Sequence, residues 1–396
     1  WSRGLGDVYK RQHLQGVGHL YRAAHVANAL AWSGLDVLMV SGGMPVPGLS
    51  LAGPTLYQLP PMVARAGNFK DLVTDAGLPI DLYWKATRRD QLVRLAMDYQ
   101  PNLIVTEAFP FGRRQLRFEL LPLLEAMTAM TPRPVVVASV RDILQEGRKQ
   151  ERITETLETL NRFFDRVLVH GDPAFARLEE TFPRADEIAC TIHYSGLVSG
   201  PPPSAGVGLA RVQREVLVST GGGATRGERL LSAALDARPL TSVRDLTWRF
   251  LLGPNLPVVE AERLRQRSEN GVVIENNRSD FGELLAGCAL SVSQAGYNTV
   301  CDILRAGCRS VLIPYADLGE TEQTFRAARM HEAGLAQMVK EDDLSPVALA
   351  AAIDAAMVAE SNNATLDLDG AAQTARLIMG WLAAAEYQAQ RRPITM

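Results

Sequence analysis

The sequence predicts an α/β fold made of two Rossmann-like domains, and three observations carry that reading. Apolar strand-like runs alternate with helix-like stretches through both halves of the 396-residue chain. Such alternation builds a parallel sheet with helices on both faces. Glycine-rich turns that follow a strand and open a helix stand at residues 16–18, 221–223 and 296, the places where such sheets meet ligands. A proline- and glycine-rich stretch, residues 199–211, divides the chain into nearly equal halves, after which the same pattern restarts.

Residues 1–11 read W-S-R-G-L-G-D-V-Y-K-R. A Rossmann-like domain needs an apolar strand directly before its first glycine turn, and this stretch looks instead like translated linker material. It is expected to be foreign to the protein, with the first strand damaged or missing.

The first domain is expected over residues 12–198. Gln15-Gly16-Val17-Gly18-His19 turns into a helix with apolar Leu20, Ala23, Ala24, Ala27, Leu30 and Ala31, stopped by Gly34. Strands follow at Asp36–Ser41, Asn102–Thr106, Pro134–Val140, Asp165–His170 and Ile188–Val198. Helices are expected at Arg89–Tyr99, Gln115–Met130 and Glu151–Phe164. The second domain, residues 212–375, has strands at Glu215–Ser219, Leu246–Leu252, Val272–Glu275, Ala289–Ser293 and Ser310–Ile313. A last helix runs from Ala371 to about Gln388, and residues 376–396 are expected to pack back on the first domain.

Composition excludes several classes of function. Hydrophobic residues make up 47% and charged residues 21%, which is ordinary for a soluble globular protein. A net charge of -3 gives no bulk attraction to nucleic acid. The four cysteines form no C-x-x-C pair and suit reduced, buried thiols of a cytoplasmic protein. There is no run of about 18 apolar residues, so no transmembrane segment is expected. Asp367 and Asp369 make a D-x-D look-alike just before the last helix; they read as turn and capping chemistry, and no metal site is expected.

The chemistry concentrates in Ser291–Pro314, which reads as strand end, glycine turn, short helix, glycine stop and second strand. Asn298 is the expected N-cap, Thr299–Ala306 the helix, and Gly307 its left-handed end. Free amides and a partial positive charge at such a helix start suit a phosphate or diphosphate. Asp302 is placed to accept hydrogen bonds from sugar hydroxyls, and Glu322-Gln323 offers a second hydroxyl-reading pair. Gly221, Gly222 and Gly223 let the backbone approach a ligand closely and leave amides to cradle an anion. His19 is the candidate catalytic base, its alternative being a helix-capping histidine. Glu107, Arg113, Arg141 and Asp142 lie at carboxyl ends of first-domain strands, with Phe109 and Phe111 beside them and His170-Gly171-Asp172 at a third such end. They read either as an acceptor pocket or as structural Arg–carboxylate pairs.

Gly296, Thr299, Val300, Asp302 and Gln323 stand in an order and spacing that resembles the donor site of glycosyltransferase family 28, the MurG-like enzymes. That family usually carries Glu where this chain has Asp302. S-T-G-G-G-A at Ser219–Ala224 resembles the family loop beside the donor diphosphate, and G-x-G-H-x-x-R from Gly16 resembles its first glycine loop with one glycine fewer. The strings E-x-F-P-F-G-R and R-D-I-L resemble a predicted-glycosyltransferase branch and are absent from the cell-wall enzyme.

The resemblance implies two Rossmann-like domains facing across a cleft (the GT-B architecture), with an inverting, metal-independent transfer from a nucleotide-sugar, a UDP-sugar, and no cofactor. His19 would be the base. Gly221–Gly223, Gly296, Asn298, Thr299, Asp302, Glu322 and Gln323 would bind donor. Gly16, Gly18, Glu107, Arg113, Arg141 and Asp142 would face an acceptor of glycan or lipid-linked kind. Such a protein would be cytoplasmic, with peripheral contact to the inner face of the membrane. A nucleotide-sugar hydrolase, with His19 activating water, and a non-catalytic nucleotide-sugar binding protein are the competing readings.

Overall fold

The computed structural model describes residues 6–11, 18–46, 49–65, 68–202, 215–221, 227–254, 256–316, 319–360 and 366–391. The chain forms two units, Trp1–Val198 with Asp369–Met396, and Ser199–Leu368. The division after residue 198 falls where composition places it. Return to the first unit comes at Asp369, ahead of the expected residue 376. Val198 and Asp369 form a β-bridge there. Backbone also crosses backbone closely: a Cβ on Gly370 would lie 2.5 Å from the Gly196 carbonyl oxygen. Of the expected linker, only residues 199–202 are described.

In the first unit the elements run β1 (Gly6–Arg11), α1 (Gly18–Trp32), β2 (Asp36–Ser41), β3 (Thr55–Gln58), β4 (Met62–Arg65), β5 (Asn68–Thr74) and α2 (Leu82–Tyr99). There follow β6 (Leu103–Glu107), α3 (Arg117–Ala129), β7 (Val135–Arg141), α4 (Gln150–Phe163), β8 (Arg166–His170), α5 (Leu178–Thr181) and β9 (Thr191–Tyr194). The parallel sheet has the order β3-β2-β1-β6-β7-β8-β9, and β4 pairs with β5 as an antiparallel ribbon. β6 is buried along its whole length, as a strand covered on both faces must be.

The expectation of a damaged or missing first strand is corrected. Gly6–Arg11 pairs in parallel with β2 and β6, Val8 standing opposite both Leu38 and Ile104. A ladder needs only backbone N–H and C=O groups, and residues 6–11 contain no proline to withhold one. Other differences are local. α2 starts at Leu82 because the Asp81 carboxylate accepts the Trp84 amide at 2.7 Å. Ile188–Val198 contracts to β9, and the short β3–β5 segment is too brief for periodicity to mark.

The second unit runs β10 (Glu215–Ser219), α6 (Glu228–Ala237), β11 (Thr247–Leu252), α7 (Val258–Gln266), β12 (Val272–Asn276), α8 (Phe281–Gly287), β13 (Leu290–Ser293) and α9 (Tyr297–Ala306). It continues with β14 (Ser310–Leu312), α10 (Glu322–Glu332), β15 (Gln337–Met338) and α11 (Pro346–Val358). Its parallel sheet has the order β12-β11-β10-β13-β14-β15. The chain ends in α12 (Gly370–Arg391), whose Ala375, Ile378 and Leu382 share a core with Leu20, Ala23, Ala27 and Leu30 of α1. None of the four cysteines forms a disulfide among the described residues. Among the described residues, no helix is long and apolar enough to cross a membrane.

One buried ion pair ties the helices of the first unit. Glu119 of α3 accepts from Arg88 Nε of α2 at 2.7 Å, both side chains fully buried, and Arg88 also donates to the Pro60 carbonyl. Glu119→Ala strands a buried guanidinium, so it should cost about 3–5 kcal/mol. Urea unfolding of the full chain checks this; a loss below about 1 kcal/mol would show the pair to be incidental.

Candidate functional site

In each sheet, the strand order reverses between two neighbouring strands, and the carboxyl ends of such a pair are where sheets of this kind bind ligands. In the second unit these strands are β10 and β13, with Ser219 directly opposite Ser293. The turn after β10 places Gly221 at φ 67°, where a side chain would be strained. The turn after β13 leads into α9. Gly296, with ψ 148°, is the residue outside the helix, so the helix begins two residues ahead of the expected Thr299 start. Asn298 already lies inside it. Gly307 closes the helix at φ 63°, as its type predicts, its amide reaching the Ile303 carbonyl at 3.0 Å.

These pieces converge. A Cβ on Gly221 would meet Thr299 Oγ1 at 3.6 Å, and one on Gly296 would meet it at 4.0 Å. The first turn of α9 therefore abuts both glycine turns. A Cβ on Gly253 would come within 2.8 Å of the Gly221 carbonyl oxygen, so glycine there lets β11 close on the same loop. Gly222 and Gly223 lie outside the described residues, as does Gly16.

The remaining expected donor residues divide. Asp302 is partly buried on α9, with no hydrogen bond or ion pair among the described residues; burial pushes its carboxyl up to about 7. Val300, one turn away, belongs to the core. Gln323 Oε1 accepts the Tyr315 amide at 3.2 Å. Glu322 has a different task from the one expected. It is buried and accepts from Arg326 at 2.9 Å, while Arg326 donates to the Ala295 carbonyl at 3.1 Å and so braces the turn before α9. Sequence reasoning missed Thr220 and Ser293, whose buried hydroxyls lack a partner among the described residues. Small polar residues at strand ends carry too weak a pattern to be singled out.

In the first unit the corresponding strands are β1 and β6, and α1 starts at Gly18. His19 Nδ1 lies 3.2 Å from Glu107 Oε1, and Arg22 Nη2 donates to that same oxygen. The Glu107 side chain is fully buried, whereas His19 retains 16% exposure. Glu107 is thus the partner of His19 rather than a group turned toward an acceptor. Ser139 of β7 donates to Glu107 Oε2 at 2.8 Å and meets His170 Nε2 of β8 at 2.8 Å. His170 Nδ1 in turn meets Ser195 Oγ at 3.0 Å. Ser139 and Ser195 carry no sequence signal. His170 is marked by its place at a strand's carboxyl end but not as a partner of this network, and the H-x-x-R spacing from His19 puts Arg22 on the same helix face.

The other first-unit candidates separate. Arg113 follows β6 at φ 57°, at the end of a loop whose first residue, Ala108, is also left-handed at φ 62°. Two non-glycine residues in that region mark a loop held by its surroundings. Burial, then the nearby Arg141, push the Arg113 guanidinium down to about 10, with Glu107 opposing and Arg22 adding to the fall. Arg141 ends β7 and stays partly exposed. Asp142 is fully buried, and a Cβ on Gly171 would collide with its Cβ at 2.8 Å. Phe109 and Phe111 are corrected outright. Both lie in the core, Phe111 edge-on to Phe182 at 5.2 Å, so neither ring is offered to a sugar.

Residues 216–379 match the glycosyltransferase family 28 C-terminal domain. The match spans β10 through α11 and runs into α12, and so includes Gly221, Gly296, Thr299, Asp302 and Gln323. The chain is similar to the UDP-N-acetylglucosamine–N-acetylmuramyl-(pentapeptide) pyrophosphoryl-undecaprenol N-acetylglucosamine transferase of Lactiplantibacillus plantarum. Identity is 26%, covering 53% of this chain and 58% of that one. The same enzyme of Desulfitobacterium hafniense is 30% identical over 33% of this chain and 36% of its own. The chain thus spans between a third and three fifths of the curated relatives it matches.

Among solved structures, Acinetobacter baumannii MurG has a TM-score of 0.56 and 14% identity over 96% of this chain and 99% of its own. The glycosyltransferase VinC in complex with dTDP has a TM-score of 0.62 and 16% identity over 97% of this chain and 100% of its own. At these identities the likeness shows the fold, which is GT-B.

The second unit makes a testable prediction through Asp302. Its folded-state value near 7 exceeds the ordinary 3.8, so ionising it costs stability that grows as pH rises between the two. A ligand that donates hydroxyl bonds to the carboxylate offsets that cost. Nucleoside diphosphate affinity should therefore rise about tenfold from pH 6 to pH 8. Asp302→Asn, which bears no titrating group, should show only the phosphate's own ionisation. Calorimetric titrations of both proteins across this range check it, and parallel profiles would remove Asp302 from the site.

Proposed function

We propose that the chain transfers a sugar from a UDP-sugar to an acceptor hydroxyl, inverting the anomeric carbon. The carrying observation is that His19 is held against the buried Glu107 carboxylate in a chain whose other unit is a family 28 domain. His19 takes the acceptor proton on Nε2 as the acceptor oxygen bonds to the anomeric carbon. The bond from that carbon to the diphosphate breaks, and the diphosphate leaves with the electron pair. Glu107 stabilises the imidazolium that forms. Amides at the start of α9 and in the Gly221 turn meet the charge growing on the diphosphate, a task that fixed dipoles perform without a divalent metal. The base contributes roughly 10²–10⁴ in rate.

On the acceptor side, Arg113 and Arg141 favour a negatively charged group. The relatives' names include a pyrophosphoryl-undecaprenol, and a lipid-linked pyrophosphate is the acceptor class this pair suits. Such an acceptor would bring the protein to the inner face of the membrane as a peripheral, cytoplasmic enzyme. The hydrolase reading gains one observation, the burial of Phe109 and Phe111, which removes the aromatic surface an acceptor sugar would stack on.

Release of UDP from a UDP-sugar pool, with and without a lipid extract as acceptor, separates the two. Wild type should accelerate with the extract. His19→Ala should lose about a hundredfold in turnover with donor affinity unchanged. Arg113→Ala should lose the acceleration but keep slow donor hydrolysis. Rapid release without any acceptor, unaffected by Arg113→Ala, would leave the hydrolase.

A further inference from the structure

His19 Nδ1 has two neighbours that make opposite demands on it. Glu107 Oε1, 3.2 Å away, accepts a proton from it. Arg22 Nη2, also 3.2 Å away, can only donate one to it. With Nδ1–H toward Glu107, the neutral ring keeps a lone pair on Nε2 and can act there as a base. With Arg22 donating, the proton moves to Nε2 and that lone pair is lost. Arg22 Nη2 carries two N–H groups and gives one to Glu107 Oε1; with that charged acceptor in place beside Nδ1, Nδ1–H toward the carboxylate is favoured over acceptance of the second.

What holds the carboxylate is a chain of hydroxyl and imidazole groups from the next two strands. Ser139 has a single hydroxyl proton and gives it to Glu107 Oε2 at 2.8 Å. Its contact with His170 Nε2, at 2.8 Å, must then be one in which the imidazole donates. At the other nitrogen, Nδ1 lies 3.0 Å from Ser195 Oγ, whose single proton also faces the Gly196 carbonyl at 3.1 Å; Nδ1 accepts when that proton turns to the ring. Ser139, His170 and Ser195 are all fully buried, so water does not supply a substitute. Of the charged and titratable groups, His19 and Arg22 on α1 contact Glu107 directly, His170 on β8 reaches it through Ser139, and Arg113 on the loop after β6 feels the charges of Arg141, Glu107 and Arg22.

We propose that His170 is a positioning residue which, through Ser139 and Glu107, sets the tautomer of His19. It fixes the direction of the Ser139 proton, Ser139 fixes Glu107, and Glu107 outcompetes Arg22 for His19 Nδ1. The catalytic consequence rests on the reading of His19 as base, but the tautomer itself does not.

Long-range ¹⁵N–¹H spectra of the full-length protein read each imidazole tautomer directly, and His19→Gln assigns the His19 signals among six histidines. Wild type, Ser139→Thr and His170→Gln, each retaining a donor, should show Nδ1–H at His19. Ser139→Ala and His170→Phe should shift it toward Nε2–H. They should also lose about tenfold or more in UDP release at unchanged donor affinity. His19 remaining Nδ1–H in Ser139→Ala, or Nε2–H already in wild type, overturns the proposal. Should His170→Phe fail to fold, Ser139→Ala decides alone. A tautomer shift in a protein that releases no UDP would sink the transferase reading and leave the proposal standing.

Discussion

The Glu107 carboxylate is the constraint around which the first unit is built. A fully buried charge survives only when paired and hydrogen-bonded, since isolating it costs several kcal/mol. Its partners come from different elements: Arg22 and His19 from α1, and Ser139 from β7. Each must arrive within bonding distance at once. The strand order makes that possible, because β6 sits between β1 and β7 with Glu107 directly opposite Ser139. Leaving the carboxylate unpaired would be costly, so the network that satisfies it also fixes His19. Only His19 among these groups keeps a share of its surface exposed.

The second unit reaches a ligand-ready geometry by the opposite route. Its crevice is made by taking side chains away. Gly221, Gly253 and Gly296 let backbone approach backbone, and Thr299 fills the remaining gap with one hydroxyl. The polar groups left over include the hydroxyls of Thr220 and Ser293, which have no partner among the described residues, and the Asp302 carboxyl, whose pKa burial raises. A surface of amides and hydroxyls suits a ligand that brings its own negative charge. One unit therefore supplies a fixed ionic network and the other a neutral, donor-rich surface.

Much of this was legible in the sequence, for reasons that differ by element. The buried parallel strands announce themselves as apolar runs, and most of those placed from sequence were found within a residue or two of their observed bounds. Gly307 was readable because a left-handed helix end admits few residues. The start of α9 was misjudged because Asn298 is a strong capping type, yet the cap is decided by Gly296's extended backbone. Phe109 and Phe111 were misjudged because aromatic residues in a loop look available until α5 and its neighbours close over them. Glu322 looked like a ligand group since its pairing with Arg326 depends on a helix face that must also reach Ala295. Ser139 and Ser195 left no mark in the sequence, and His170 was legible only as a strand-end residue, because nothing in their spacing says that they meet. The first strand was judged on side chains when its pairing rests on backbone alone.

The central claim, that a buried carboxylate makes His19 a base, is tested most directly by Glu107→Gln. This change keeps the shape and removes the charge. Steady-state UDP release should fall about a hundredfold, while the dissociation constant for UDP, governed by the other unit, stays at the wild-type value. Turnover within about twofold of wild type in a folded Glu107→Gln protein would contradict the account. It would show the carboxylate to be a structural tie with no part in the chemistry.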